Sequence, residues 1–255
     1  MQSITEIAKK IRLMVIEMLY RAQSCHLGSN MSEVEILVAL YFKIMKPKDV
    51  FILSKGWGAA ALYAVLAEKG IINKKDLLKN YYTEKYPGLV SEKVPGVVLS
   101  TGSAGHGIGV AVGIALADRD RKVYCLISDG ECNCGTTWEA ALFAAHHKLN
   151  NLTLIIDYNQ LQAFGETNKV LQLEPLARKW KSFNWWVVPV NGHNFNDLIS
   201  AFGQKTVHKR PKVIIANTIK GKGIPFAENR VEWHYFNLNK ELYNEAKRYI
   251  CQNAN

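Results

Sequence analysis

No stretch of this 255-residue sequence approaches the ~18 consecutive apolar residues of a membrane span, so neither a transmembrane segment nor a membrane partner is expected. Cysteine is scarce: Cys25, Cys125, Cys132, Cys134 and Cys251 are odd in number and irregularly spaced, which excludes a disulfide framework and suits reduced thiols in a cytoplasmic protein. A cleavable signal peptide is not expected in the opening residues either, because they carry Glu6 and Glu17 inside a helical pattern. There is no low-complexity tract and no internal repeat. Acidic residues are outnumbered, 22 against 32 Lys and Arg. The surplus is scattered (Lys9-Lys10, Lys74-Lys75, Arg119 to Lys122, Lys205 to Lys212), with no basic helix or aromatic-interleaved stripe. Nucleic acid is therefore not an expected partner. A solvated surface, an acidic protein partner, or an anionic cofactor or substrate would each suit the positive field.

What is present is alternation. Apolar residues at helical spacing predict helices over 3–23, 32–44 (Ser32 as N-cap, Glu35 three residues on), 58–70 (closed by Gly70), 136–149 and about 196–207. Short apolar runs predict strands over 49–54, 121–128, 151–159, 185–190 and 212–218, and a polar, Tyr-rich excursion fills 75–100. The expectation is an α/β fold in one domain spanning 1–255, with a mostly parallel sheet flanked by helices on both faces.

In such sheets ligands sit beyond the carboxyl ends of the strands. Three of those ends are polar. The turn Ser100–Gly107, with Gly102 and Ser103, offers backbone N–H groups at a helix start, a seat for phosphate oxygens. Asp129-Gly130 ends one strand, and Asp157-Tyr158-Asn159 ends the next, with Asn159 30 residues after Asp129. Neighbouring parallel strands would bring that carboxylate and amide to one point, a hard-oxygen pair suited to Mg²⁺ beside a phosphate. Other motifs carry blander readings. Cys132 and Cys134 with His146 or His147 lack zinc-ligand spacing, and adjacent helical histidines cannot face one ligand. His193 in "NGHNF" reads as a structural turn residue, and "KGKG" (220–223) as a turn after a strand.

Longer segments add a resemblance. "MLYRAQSCHLGSNMS", "ILSKG", "STGSAGHGIGVAVGIALA", "TTWEAALFAAHHKLNNLTLIIDYNQLQAFGET" and "TIKGKGIPFAENRVEWH" resemble the N-terminal subunit of split transketolases, which are thiamine-diphosphate enzymes. The likeness covers nearly the whole chain and is most specific over 100–168. It implies a thiamine-diphosphate-binding fold of the diphosphate-domain type. Asp129 and Asn159 would be Mg²⁺ ligands, with the backbone carbonyl of Leu161 as a third. Gly130, Gly102, Ser103, Asn159, His26 and Trp57 would line the cofactor. His26, His234 and His106 would shuttle protons, and Glu139 would lie at a subunit interface in the network linking paired cofactor sites. The pyrimidine-binding domain, with the glutamate that activates the ring, would belong to a separate C-terminal subunit, in a heterotetramer of two copies of each. The activity implied is transfer of a two-carbon ketol unit between sugars.

Departures from the family cluster on the substrate side. Trp57 follows "LSKG" where the family has histidine, and Tyr86 in "KYP" stands at another histidine. Ala104 and His106 alter the glycine-rich turn, and Cys134 replaces a glutamate. These changes predict a pocket reshaped for a sugar, sugar phosphate or nucleotide-linked sugar other than the ordinary pentose phosphates. Two alternatives stay open: a carboligase or decarboxylase acting on a 2-oxo acid or nucleotide-linked sugar, and a non-catalytic scaffold.

Overall fold

A computed structural model describes residues 3–206 and 208–253. Five strands, β1 (Val50–Leu53), β2 (Val123–Ser128), β3 (Leu152–Tyr158), β4 (Trp186–Asn191) and β5 (Lys212–Asn217), form one sheet in the order β1-β2-β3-β5-β4. Every pairing is parallel. The first half of the chain contributes α1 (Ile4–Ala22), α2 (Leu27–Ser32), α3 (Val34–Ala39), α4 (Ala59–Glu68), α5 (Lys74–Asn80) and α6 (His106–Ala117). The second half contributes α7 (Gly135–His146), α8 (Thr167–Val170), α9 (Leu176–Ser182), α10 (Phe195–Gly203) and α11 (Lys240–Gln252). Among the described residues no helix is long and apolar enough to cross a membrane.

The period-2 geometry of a strand splits its side chains between two cores. Phe51, Leu53, Tyr124, Leu126, Ile155 and Ile214 face α1, α3, α4 and α10, while Ile52, Val123, Cys125, Ile127, Leu154, Ile156 and Val213 face α6, α7 and α9. Burial on both faces is why "LTLII" and "KVIIA" read as continuous apolar runs rather than alternating ones. β4 differs: it is an edge strand, half-exposed, and tolerates Pro189 there.

The expected α/β sheet with helices on both faces is observed, with local corrections. The helix predicted over 32–44 forms as α3 and a π-helical turn at Leu40–Ile44, with Ser32 closing the preceding α2. Ser32 ends α2 rather than capping a helix. Its hydroxyl donates to Asp157 Oδ2 (2.6 Å), supplying a donor to that buried carboxylate. Gly70 does follow a helix, at φ +75°, two residues past Glu68. The helix expected near 196–207 ends at Gly203, and position 207 lies outside the described residues.

Candidate active site

A cavity of ≈ 370 Å³ opens beyond the carboxyl ends of the strands, walled in part by His26, Trp57, Gly102, Asp129, Gly130, Asn159, Leu161, Lys220 and His234. The register explains the convergence. Ser128 pairs with Asp157 on neighbouring strands, so the residues just past β2 and β3 emerge side by side. Asp129 opens a 3-10 turn held by a reciprocal cap between Ser128 and Glu131. Its Oδ1 accepts the Gly130 N–H (2.7 Å) and its Oδ2 the Gln160 N–H (2.6 Å). The Asn159 Oδ1 accepts from Leu161 N (3.0 Å), which bends the following loop back over the cavity.

Glu131, fully buried, ties the segments that follow β1 and β2 to the glycine-rich turn before α6. Its Oε1 accepts from Ser54 Oγ (2.5 Å) beyond β1 and from Gly105 N (3.0 Å) in the glycine-rich turn, and its Oε2 accepts from Ser128 N (2.8 Å). Gly105 stands at φ +81°, where a Cβ would meet Cβ of Cys134 at 2.8 Å. Cys134 thus serves as a small packing residue against that turn. Cys132 is buried, His146 is exposed and His147 lies against Phe143.

Two lysines dominate the electrostatics. The Lys55 ammonium, 1% exposed, donates to Asp157 Oδ2 (2.5 Å) and Ser29 O (3.0 Å) and lies 3.0 Å from Glu33 Oε2. One cation cannot neutralise two buried carboxylates. Burial and the Asp157 charge push Glu33 up to about 8, while Asp157, with Lys55, Ser32 and Thr218 around it, overcomes its burial and is held below the usual range. Lys220, also 1% exposed, donates to the carbonyls of Leu161 (2.9 Å) and Gln162 (3.3 Å), with His234 Nδ1 at 3.4 Å. Burial, with Lys55 nearby, pulls it down to about 8 against the opposing pull of Asp129. Gly28 is needed for its path, since a Cβ there would meet Lys220 Cγ at 2.8 Å.

The His26 and His234 rings meet edge to face, centroids 5.0 Å apart. His26 sits at φ +71°, its N–H donating to His234 O (3.0 Å). Burial, then Lys220, lowers His26 to about 4 and His234 to about 3. Both imidazoles are neutral at physiological pH, able to accept or donate one proton each. Asp129 is pushed the other way, to about 6, by burial and then Asp157.

The donor set suits a hard cation. A carboxylate, an amide oxygen and a carbonyl share one wall, and the Leu161 carbonyl faces the Lys220 ammonium, a positive group drawn to those oxygens. A buried lysine held by carbonyl oxygens, two neutral imidazoles and a small-residue turn complete a site that would hold a metal-bridged phosphate tail.

The family described as "Transketolase, thiamine diphosphate binding domain" matches residues 3–254. The chain belongs to that transketolase family. Similar proteins include an apulose-4-phosphate transketolase subunit of Actinobacillus succinogenes, 43% identical, with 82% of each chain covered. The 6-deoxy-6-sulfo-D-fructose transketolase subunit SqwG of Clostridium sp. is 38% identical, covering 94% of this chain and 93% of that protein. Among solved structures, the Campylobacter jejuni transketolase superposes with a TM-score of 0.91 at 28% identity, over 98% of this chain. This transketolase-family chain spans 43% of that one, and 41% of the human transketolase to which it is 34% identical.

Of the residues singled out in the sequence, His26, Trp57, Gly102, Asp129, Gly130, Asn159, Leu161 and His234 reach the cavity wall. His106, Ser103 and Glu139 are exposed and do not line it: Ser103 lies in the turn before α6, His106 is the first residue of α6, and Glu139 is on α7. Tyr86 is a correction. Instead of lining the pocket it is 4% exposed, packed near Tyr63 and donating to Asp76 Oδ2 (2.7 Å), because its large ring fills the core beside Tyr81. Lys55 and Lys220 were missed as site residues, and "KGKG" is more than a turn. The available signal was a lysine two or three residues past the end of an apolar strand, at the end where ligands gather.

Proposed function

We propose that this chain is the diphosphate-binding subunit of a split transketolase, moving a two-carbon ketol unit between sugars once joined by a C-terminal subunit. The observation that carries the reading is the convergence of Asp129, Asn159, the Leu161 carbonyl and Lys220 on one cavity at the strand ends. Asp129, Asn159 and Leu161 O would hold Mg²⁺. Lys220 and the backbone at Gly102 and Gly130 would hold the diphosphate of thiamine diphosphate. When bound, the cofactor supplies carbanion stabilisation. The chain's own share is to seat the phosphates, exclude water with Trp57, and keep two neutral imidazoles, His26 and His234, ready to take or give a proton at substrate oxygens.

Relatives are named for apulose-4-phosphate and 6-deoxy-6-sulfo-D-fructose, which supports a non-standard ketose here as well. Trp57 is the cavity residue that fits such a change. Those relatives are named as single subunits of a transketolase, which supports a partner polypeptide. So do exposed apolar side chains: Val110 and Leu116 on α6, Leu142 and Phe143 on α7, and Phe164 and Tyr235 lining the cavity. A heterotetramer of two copies of each polypeptide, working as a single domain per copy of this chain in the cytoplasm, is the assembly proposed. Coexpression with a transketolase C-terminal subunit, then assay of cofactor- and Mg²⁺-dependent ketol transfer from modified ketose donors, tests the reading. Turnover by this chain alone would overturn the split-enzyme part. Release of CO₂ from 2-oxo acids, without ketol transfer, would replace it with a decarboxylase.

A further inference from the structure

We infer that His193, with Glu35 and Arg12, forms a positioning clamp for Lys220, a role that rests on the reading of Lys220 as a phosphate-binding group. The clamp spans four parts of the chain. The Arg12 guanidinium on α1 grips Glu35 on α3 bidentately, Nη1 to Oε1 at 2.6 Å and Nη2 to Oε2 at 2.9 Å. Glu35 Oε2 lies 3.0 Å from Nδ1 of His193, in the turn between β4 and α10, and His193 Nε2 lies 2.8 Å from the backbone N of Ile219. The tautomer follows from the partners. A backbone N–H can only donate, so Nε2 must carry a lone pair, and Nδ1–H donates to the carboxylate.

The other end of the clamp closes on the same short segment. Arg12 Nε donates to the carbonyl of Lys222 (3.2 Å), so His193 and Arg12 hold Ile219 and Lys222, the two residues that bracket Lys220 and Gly221. Gly223 makes the approach possible: at φ +87°, a Cβ there would meet Arg12 Nε at 2.9 Å. Burial tends to raise Glu35, but Arg12 and His193 outweigh it and hold the carboxyl at about 2, so the carboxylate persists across the working range. The strand of chain from 219 to 223 separates two cavities. Lys220 points into the candidate active site, whereas Lys222 and Gly223 line a second cavity of ≈ 310 Å³ together with Arg12, Glu35 and His193. Lys220 is a long side chain with four rotatable bonds, and a backbone held at both flanks fixes where its ammonium arrives. Hydrogen bonds from Gly221 N to Gly28 O and from Asn229 N to Lys220 O register the turn itself, and the clamp supplies its orientation against β4 and α1.

The test uses this chain coexpressed with its C-terminal partner, in the wild-type form and as His193→Ala and His193→Gln. Glutamine can donate to Glu35 with its amide N–H and accept from Ile219 with its carbonyl. Titration calorimetry with Mg²⁺ and inorganic pyrophosphate should show His193→Ala weakened about tenfold, the scale of a lost hydrogen bond to a charged network, with His193→Gln recovering most of it. The amide of Ile219 should exchange faster in His193→Ala and recover in His193→Gln. In the ketol-transfer assay the half-saturating cofactor concentration should rise while kcat at saturation changes little. Equal pyrophosphate binding and equal Ile219 exchange in wild type and His193→Ala would overturn the clamp and leave the function standing. A wild type that binds neither pyrophosphate nor thiamine diphosphate would overturn the reading of Lys220, and the clamp with it.

Discussion

The Lys220 ammonium donates to the carbonyl oxygen of Leu161 at 2.9 Å, across 59 residues of sequence. One group follows β5 and the other follows β3, and their strands pair directly, Tyr158 with Asn217. The contact puts a desolvated cation against one lone pair of the carbonyl oxygen whose other lone pair is proposed to face Mg²⁺.

Lys220→Met should weaken binding of thiamine diphosphate about tenfold to a hundredfold, the range for a charge-assisted bond to phosphate, and isothermal calorimetry checks it. Because burial has drawn Lys220 down to about 8, an arriving anion should raise it again. Binding near pH 8 should therefore take up a proton in wild type and not in Lys220→Met. Calorimetry in buffers of different ionisation enthalpy measures the uptake directly.

Asp129→Asn retains the shape of the side chain and loses its charge. Mg²⁺-dependent affinity for the cofactor should fall about a hundredfold, since a buried charged ligand contributes roughly 3 kcal/mol. Raising Mg²⁺ should recover part of the loss, and equal affinity with and without Mg²⁺ in wild type would remove Asp129 from metal binding.

Trp57→His should raise kcat/KM for the ordinary pentose phosphates about tenfold relative to wild type, by returning a hydrogen-bonding ring and opening volume. The exchange leaves the local backbone anchored, because Asn30 Nδ2 donates to Trp57 O (3.1 Å) and Asn30 Oδ1 accepts from Ala61 N (2.9 Å). Tyr86→His should not do the same, as Tyr86 faces the core rather than the cavity. Steady-state kinetics on the two variants with xylulose and ribose phosphates separates them.

Glu33 gives a pH signature. Its folded pKa, pushed to about 8 by burial and then the Asp157 charge, lies above its ordinary value of 4.5. The folded chain therefore holds this proton more tightly than the unfolded one, and the associated stability is full below pH 4.5 and is lost as pH rises through 8. Glu33→Gln should flatten that decline, so that its melting temperature exceeds wild type at pH 8 and above. Parallel melting curves for the two proteins would reject the assignment.

The sequence by itself determined the α/β class, the parallel sheet and the Asp129–Asn159 pair. Strand burial on two faces leaves unbroken apolar runs, and consecutive parallel strands commonly pair, as β2 and β3 do here, although β5 separates β3 from β4. Its motifs also singled out His26 and His234, which line the cavity. The tertiary structure alone decided the roles of Lys55, Lys220 and Glu33, whose meaning depends on what surrounds them once water is removed: a lysine on a loop and a lysine under a sheet edge look identical as letters. It also turned Tyr86 inward, set the Ser32 hydroxyl on Asp157, and joined Arg12, Glu35, His193 and Ile219 across the fold. Local periodicity is set by neighbours along the chain, and those are visible in sequence. Charge, burial and partnership are set by neighbours in space, and only folding brings them together.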